Sequence, residues 1–267
     1  MLKINIIIPS KNRACQLDLM LRTFYKYFKL DYDLTVIYTT STVEHEEGYR
    51  ILKDIYPTIN FIKETFLKEN IIDCIENNLN PFVAFLSDDI IFIRPIEESI
   101  FTKRFEENTD IFCLVFRNGA TRLKNFNTDE DLIEIPEINS WGEYNWKEAT
   151  SHFWNTSQLL VGHITRRLEL LEIIKNCNFS TPNELEERFV NYPIKKNINI
   201  CIEHCLIELC INTVQAHPDI SYYFHSIPAY FLNEYWVDGL YMDLDETQYC
   251  GDYSRIKEID FKWRQRG

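Results

Sequence analysis

The residues whose types and spacing best suit them to chemistry are Ser87, Asp88 and Asp89, set between the apolar runs 81–86 and 90–93. The first run reads as a buried strand and the second as another short strand. Two adjacent carboxylates therefore stand where a buried strand ends. A pair in that position can hold a divalent cation against a phosphate-bearing ligand. Ser-Asp-Asp is also good turn chemistry, and the plainer reading is a solvated turn.

The elements that must position this pair follow from periodicity. Residues 5–8 form a short apolar strand broken at Pro9, after which Asn12 can cap a helix with the apolar face Leu17, Leu21, Phe24 and Phe28. Residues 34–38 predict a second strand, closed by the polar run Thr39-Thr40-Ser41-Thr42, and a helix follows through Gly48 to Ile55. Residues 59–62 predict a third strand, and Ile71, Ile72, Ile75 and Leu79 mark another helix. Residues 82–86 then lead into the acidic pair. The alternation is βαβαβαβ, the pattern of a mostly parallel sheet flanked by helices, in which ligands bind beyond the carboxyl ends of the strands. Three such ends are polar: Pro9-Ser10-Lys11-Asn12-Arg13, Thr39-Thr40-Ser41 and Ser87-Asp88-Asp89. Neither GxGxxG nor GxxxxGK[ST] follows a strand, which disfavours a dinucleotide site and removes a P-loop.

Beyond residue 100 the pattern is less regular. Residues 111–116 predict a strand, 117–160 are polar and aromatic without a clear period, and 164–174 predict a helix. Thr181-Pro182-Asn183-Glu184 reads as a helix start, with Thr181 as cap and Glu184 as capping-box partner. Residues 198–214 read as a long apolar helix. The expectation is a single α/β domain over 1–267, with a nucleotide-binding half at 1–100 and an irregular, acceptor-binding half at 101–267.

Composition narrows the classes. The 267 residues are 45% apolar and 14% aromatic, which marks a folded chain with a sizeable core. The net charge of −13 comes without a basic stripe, so nucleic acid is not an expected partner. The chain enters a strand-like run at Ile4 without a basic leader and apolar core, and the eight cysteines read as reduced, buried thiols of a cytoplasmic protein. Cys201, His204 and Cys205 invite a metal reading, but there is no CxxC pair and the run reads as helical. No apolar run approaches the ~20 residues of a membrane span. The basic tail at Lys262, Arg264 and Arg266 offers too few charges to define a membrane or polymer contact, though a peripheral membrane location stays open.

The ordered motifs resemble the GT-A fold of nucleotide-sugar glycosyltransferases, in particular bacterial-type, family 2-like inverting enzymes. The resemblance rests on Pro9-Ser10-Lys11-Asn12-Arg13, the polar-ended second strand and Ser87-Asp88-Asp89. It extends through Glu47-Gly48-Tyr49, Phe61-Ile62-Lys63-Glu64-Thr65, Gly162-His163-Ile164, Thr181-Pro182-Asn183-Glu184-Leu185-Glu186, Asn212-Thr213-Val214-Gln215 and Leu232-Asn233. The resemblance implies transfer of a sugar from a nucleoside diphosphate to a hydroxyl of a glycan or glycoconjugate, with inversion, in polysaccharide or glycoconjugate synthesis. It implies Mg²⁺ or Mn²⁺ at the acidic motif and a carboxylate that takes the acceptor proton.

On that resemblance Asp89 is the metal ligand and Asp88 supports the ribose or a metal-bound water. Pro9, Ser10, Lys11 and Arg13 floor the nucleotide pocket, with Arg13 open to reading as a surface charge. Thr39, Thr40 and Ser41 stand where many relatives carry a base-binding Asp. Lys68 meets the base or diphosphate, or is simply solvated. Glu186 is the expected catalytic base, because Glu184 has a capping role. His163 lines the acceptor pocket or is a satisfied core histidine, and Trp146 stacks on acceptor or fills core. Ser87 and Val161 replace acids common in relatives. Two further readings stay open: a nucleotidyltransferase, disfavoured by the lack of glycine between Ser10 and Cys15, and a degenerate nucleotide- or glycan-binding protein without turnover.

Overall fold

The computed structural model describes residues 2–117, 135–150, 154–209, 227–246 and 261–267. Its first strand, β1 (Lys3–Lys11), is buried at seven successive positions, as expected of a central strand covered on both faces. It pairs in parallel with β2 (Asp31–Thr39) and with β4 (Phe82–Phe85), and β2 pairs in parallel with β3 (Asn60–Lys63). The helices α1 (Ala14–Tyr27), α2 (Val43–Ile55) and α3 (Leu67–Asn77) make the crossovers. Leu17, Leu21, Phe24 and Phe28 are all buried, as the apolar spacing predicts, whereas Leu79 lies past the end of α3 and is exposed.

The second half completes the same sheet. Beside β4 runs β8 (His163–Arg166), antiparallel, followed by β6 (Ile111–Val115), β9 (Ile198–Cys201) and β7 (Glu143–Asn145). The order across the eight strands is β3-β2-β1-β4-β8-β6-β9-β7. Directions follow from the pairings: six strands run one way, and β8 and β7 run against them. The expected mostly parallel α/β sheet flanked by helices is the architecture observed. A second, two-stranded sheet joins β5 (Ile90–Phe92) to β10 (Leu206–Glu208). Helices α4 (Ile100–Glu107), α5 (Arg167–Asn176) and α6 (Pro182–Asn191) link the strands of this half.

Three sequence expectations need correction. Residues 163–166 are strand, and only then does α5 begin. The β-branched pair Ile164-Thr165 gains ladder partners on both sides, and Gly162, at φ +83, supplies the turn into the strand. The long apolar helix expected from 198 is instead β9 and β10, and its remainder from residue 210 onward lies outside the described residues. The repeat Ile198, Ile200, Ile202 has period two, which the sheer density of apolar residues obscures. Finally, Asn12 does not cap α1. It adopts φ 57 one residue before the N-cap position, and its side chain turns to the end of β2.

The C-terminal elements α7 (Ala229–Val237) and β11 (Leu240–Asp243) pack on α1, α7 also on α2, and β12 (Lys262–Gln265) pairs with β11. A Cβ on Gly48 would lie 2.3 Å from Asn233 Oδ1, so glycine is what lets α7 approach α2. Asn233 donates to the Glu44 carbonyl at 2.8 Å, and the Trp236 indole donates to that of Gly48 at 3.0 Å. Two motifs far apart in sequence, Glu47-Gly48-Tyr49 and Leu232-Asn233, thus meet. In the basic tail, Arg264 pairs with Asp243, and the Arg266 guanidinium stacks 4.1 Å from the Trp236 ring centroid. No helix among the described residues is long and apolar enough to cross a membrane.

Candidate functional site at the carboxyl edge of the sheet

Because β1, β2, β3 and β4 are parallel, their carboxyl ends share one edge. Asn12 ties two of them together: its backbone N–H donates to the Thr39 carbonyl at 3.2 Å. Its side-chain amide donates to Ser41 Oγ at 2.9 Å and its carbonyl oxygen accepts the Ser41 N–H at 2.8 Å. The left-handed backbone at Asn12, a conformation asparagine tolerates, aims both side-chain groups at that loop.

The acidic pair is bound into the same edge. Asp88 is buried and accepts from Ser10 Oγ at 2.7 Å and from Arg13 Nη1 at 2.9 Å. The same Arg13 nitrogen donates to Asp89 Oδ2 at 2.8 Å. Ser10 also shares a 2.6 Å hydrogen bond with the buried Tyr49 hydroxyl, which in turn accepts the Arg13 backbone N–H at 3.3 Å. Burial works against the Arg13 charge, but Asp89 and Asp88 outweigh it, so the guanidinium is held charged above its ordinary range. Burial pushes the Asp88 carboxyl up, with Arg13 pulling it back and Asp89 adding to the rise. The Tyr49 hydroxyl is pushed up chiefly by burial and then by Asp88, so it stays a neutral hydrogen-bonding group. Of the expected nucleotide-pocket residues, Ser10, Arg13 and Asp88 are thus joined directly. Arg13 is no free surface charge: its guanidinium turns to the carboxylates.

At the end of β2, Thr40 Oγ1 donates to Glu46 of α2 at 2.9 Å, and Tyr38 and Lys63 donate to the same carboxylate at 3.0 and 2.6 Å. A carboxylate thus stands beside Thr39, Thr40 and Ser41 after all, supplied from the following helix. Pro9 and Lys11 close β1 at this edge. Lys68 lies in the first turn of α3, and its ammonium donates to the Lys175 carbonyl near the end of α5 at 3.3 Å.

The β8 side is built differently. His163 pairs with Phe85 and Val115 inside the sheet, so the segment 160–162 enters beside the end of β4. Glu186 Oε1 accepts the Leu160 N–H at 3.2 Å, which puts this carboxylate at the same edge. Thr181 caps α6 as expected, accepting the Glu184 N–H at 3.2 Å, while Glu184 accepts from the Ser180 N–H and hydroxyl at 2.7 and 2.9 Å, one residue before the position a capping box would use. His163 is buried and bonded through Nδ1 to the Val161 carbonyl at 3.0 Å, and burial pushes its pKa down to about 3. It is a neutral core histidine, the plainer of its two sequence readings. Trp146 is placed at the other edge. Because β7 runs antiparallel to β9, Trp146 emerges beside Asn197, at the amino end of β9, with its indole donating to the Lys196 carbonyl at 3.2 Å. It is thereby removed from the expected stacking position.

Sequence reading missed Tyr49, Glu46, and a second ion pair. Arg117, just past β6, pairs with Glu208 at 2.6 Å. Glu208 faces Ile90 across the β5–β10 ladder, and the next residue, Leu209, donates to the Asp89 carbonyl at 2.6 Å. Tyr49 stood in a motif already singled out, but Glu208 was hidden in a run read as helix. A Cβ on Gly162 would lie 2.5 Å from that of Arg117, so the turn into β8 also seats this pair.

Of the two carboxylates, Asp89 is the one with room to reach a cation. Both Asp88 oxygens are engaged, whereas the Asp89 side chain keeps 23% exposure against 6% for Asp88. Among the described residues no group of three or more His, Cys, Asp or Glu could hold a metal. A cation held at Asp89 would have to take its other ligands from phosphate oxygens and water, the habit of Mg²⁺. Cys201 and Cys205 are buried thiols, and burial pushes both up to about 12.

No family model matches the chain. It is 35% identical over 98 residues to the bifunctional glycosyltransferase pgtA of Dictyostelium discoideum, an overlap of 33% of this chain and 13% of pgtA. Among solved structures it is similar to S. aureus TarS, with a TM-score of 0.48 and 13% identity over 88% of this chain and 39% of TarS. It is also similar to TarS 1–349 in complex with UDP-GlcNAc, with a TM-score of 0.48 and 14% identity over 75% of this chain and 55% of that one. The chain thus spans less than two thirds of each of these relatives. Its kinship in sequence is with a glycosyltransferase.

Proposed function

We propose that the chain is a GT-A-type glycosyltransferase. It moves a sugar from a nucleoside-diphosphate sugar to a hydroxyl of a glycan or glycoconjugate, with inversion, in polysaccharide or glycoconjugate synthesis. The observation that carries this reading is the joining of the β1 and β4 ends at Asp88 and Asp89, held by Ser10 and Arg13, with the end of β2 tied to β1 through Asn12. The sequence kinship with pgtA supports the reaction class.

In this reading the loops after β1 and β2 receive the nucleoside, and Glu46, Thr40 and Ser41 supply polar groups for the base. Asp89 holds Mg²⁺ or Mn²⁺, which when bound offsets charge on the diphosphate leaving group. Asp88, fixed by Ser10 and Arg13, orients the edge on which the diphosphate lies. Glu186, anchored beside the entry to β8, takes the acceptor hydroxyl's proton as that oxygen attacks the anomeric carbon.

Calorimetry with UDP-, GDP- and dTDP-sugars, with and without Mn²⁺, tests the reading alongside an assay of nucleoside diphosphate release. Metal-dependent binding of one donor, with release stimulated by a glycan acceptor, is the expected result. Binding of none of the donors would overturn it. Tight binding with neither hydrolysis nor transfer would identify a binding protein instead.

A further inference from the structure

Resting on that reading, we infer that Arg13 is the resident counter-ion of the acidic pair, and that a divalent cation gains Asp89 only once a nucleoside diphosphate is present to take over the guanidinium. The geometry is specific. One nitrogen, Nη1, lies 2.9 Å from Asp88 Oδ1 and 2.8 Å from Asp89 Oδ2. The positive charge therefore sits between the two carboxylates, where a bridging cation would otherwise belong. The arginine side chain is only 11% exposed, so solvent screens little of its repulsion of a second cation.

Two further observations point the same way. No third His, Cys, Asp or Glu among the described residues joins the pair, so those residues alone offer a cation few ligands. A diphosphate changes both terms at once. Its oxygens complete a cation's coordination, and they are also a natural partner for a planar guanidinium, which binds phosphate in bidentate fashion. Arg13 starts at the N-cap position of α1 and makes no side-chain cap to that helix, so turning toward a phosphate breaks none of the helix's own capping. Arg13 is thus a positioning residue. It holds Asp88 and Asp89 in register when the site is empty of nucleotide and makes metal and nucleotide binding interdependent.

The test is Mn²⁺ binding followed by electron paramagnetic resonance, on full-length protein, without nucleotide and with UDP or GDP. Wild type is expected to bind Mn²⁺ weakly alone and at least tenfold more tightly with the matching nucleotide. Arg13→Gln is expected to bind Mn²⁺ at least tenfold more tightly than wild type in the absence of nucleotide. Arg13→Lys, which keeps the charge, is expected to stay within threefold of wild type, and it guards against an Arg13→Gln protein that fails to fold. Nucleotide-free Mn²⁺ affinity equal in all three proteins, with nucleotide-assisted binding intact, would overturn the counter-ion role and leave the glycosyltransferase reading standing. No Mn²⁺ binding in any protein with either nucleotide would overturn both.

Discussion

The two flanks of the carboxyl edge are held by different means. On the β1–β4 flank the groups assigned to chemistry are also the groups that hold the structure: Ser10, Tyr49, Arg13, Asp88 and Asp89 bond to one another across some seventy-five residues of chain, and Asp88 is buried. On the β8 flank the two roles are separate. The structural work falls to the buried His163 and to Gly162, while Glu186, among the described residues, is anchored through a hydrogen bond to Leu160. Substitutions on the first flank must therefore damage fold and function together. Those on the second can be made to damage one and spare the other.

The harshest test of this contrast is Asp88→Ala. It removes one of the two carboxylates that hold a buried guanidinium and leaves the Ser10 hydroxyl short of its acceptor. Breaking a buried pair by removing one partner costs about 3–5 kcal/mol. A fall of that size in denaturant-derived stability, with loss of nucleotide binding, is expected; a stability change under about 1 kcal/mol would show that the network does not hold this edge together. Gly162→Ala comes next. The backbone there is at φ +83 and the added Cβ would meet that of Arg117 at 2.5 Å. Left-handed strain of ~1–2 kcal/mol and overpacking of ~1–3 kcal/mol together predict a loss of about 2–5 kcal/mol. Thermal unfolding checks it, and a neutral outcome would mean that the turn into β8 can be rebuilt without glycine.

The same contrast explains what the sequence revealed. The four parallel strands and the acidic pair were legible because buried strands are nearly continuous apolar runs bounded by polar ends, a purely local signal. Arg13 was visible as a candidate, but its direction was not: whether a guanidinium faces a nucleotide or a carboxylate seventy-five residues away depends on how β1 and β4 pair. Residues 163–166 and 198–208 were misread for the opposite reason. Ile164-Thr165 and the 198–202 run owe their strand state to partners in β4, β6 and β7, and apolar density alone does not distinguish that from helix. Trp146 went astray because its distance from the site is set by the direction of β7, which no local pattern encodes.

His163 gives a test of intermediate size. Its pKa of about 3 in the folded protein lies below the ordinary histidine value of about 6.5 expected when unfolded. The unfolded chain therefore takes up a proton that the folded one refuses, so the stability from keeping His163 neutral is full above pH 6.5 and is lost as pH falls toward 3. The slope is about 1.4 kcal/mol per pH unit, or about 2 kcal/mol between pH 6.5 and 5. Urea denaturation of wild type and His163→Gln across that range should give curves that converge by this amount as pH falls. Curves that stay parallel would show an imidazole free to protonate in the folded state, and so one that opens to a pocket on this flank.

The smallest expected effect on stability is also the cleanest probe of chemistry. Glu186 lies on α6 with its side chain partly exposed, and its one described contact is the acceptance of the Leu160 N–H. Glutamine keeps an oxygen of the same size and reach for that N–H but has no basic carboxylate. Glu186→Gln should therefore alter stability by less than about 1 kcal/mol, the scale of a single hydrogen bond. If Glu186 removes the acceptor proton, turnover should fall by about 10²–10⁴-fold, the usual contribution of a general base, with donor affinity unchanged. Measuring sugar transfer and nucleotide affinity on the same preparation separates the two flanks directly. Unchanged turnover would remove Glu186 from the reaction and shift attention to Glu208, which the β5–β10 ladder places beside Asp89. Lost nucleotide affinity would show instead that the flanks are coupled, and that the division between a self-braced donor side and a lightly anchored acceptor side does not hold in solution.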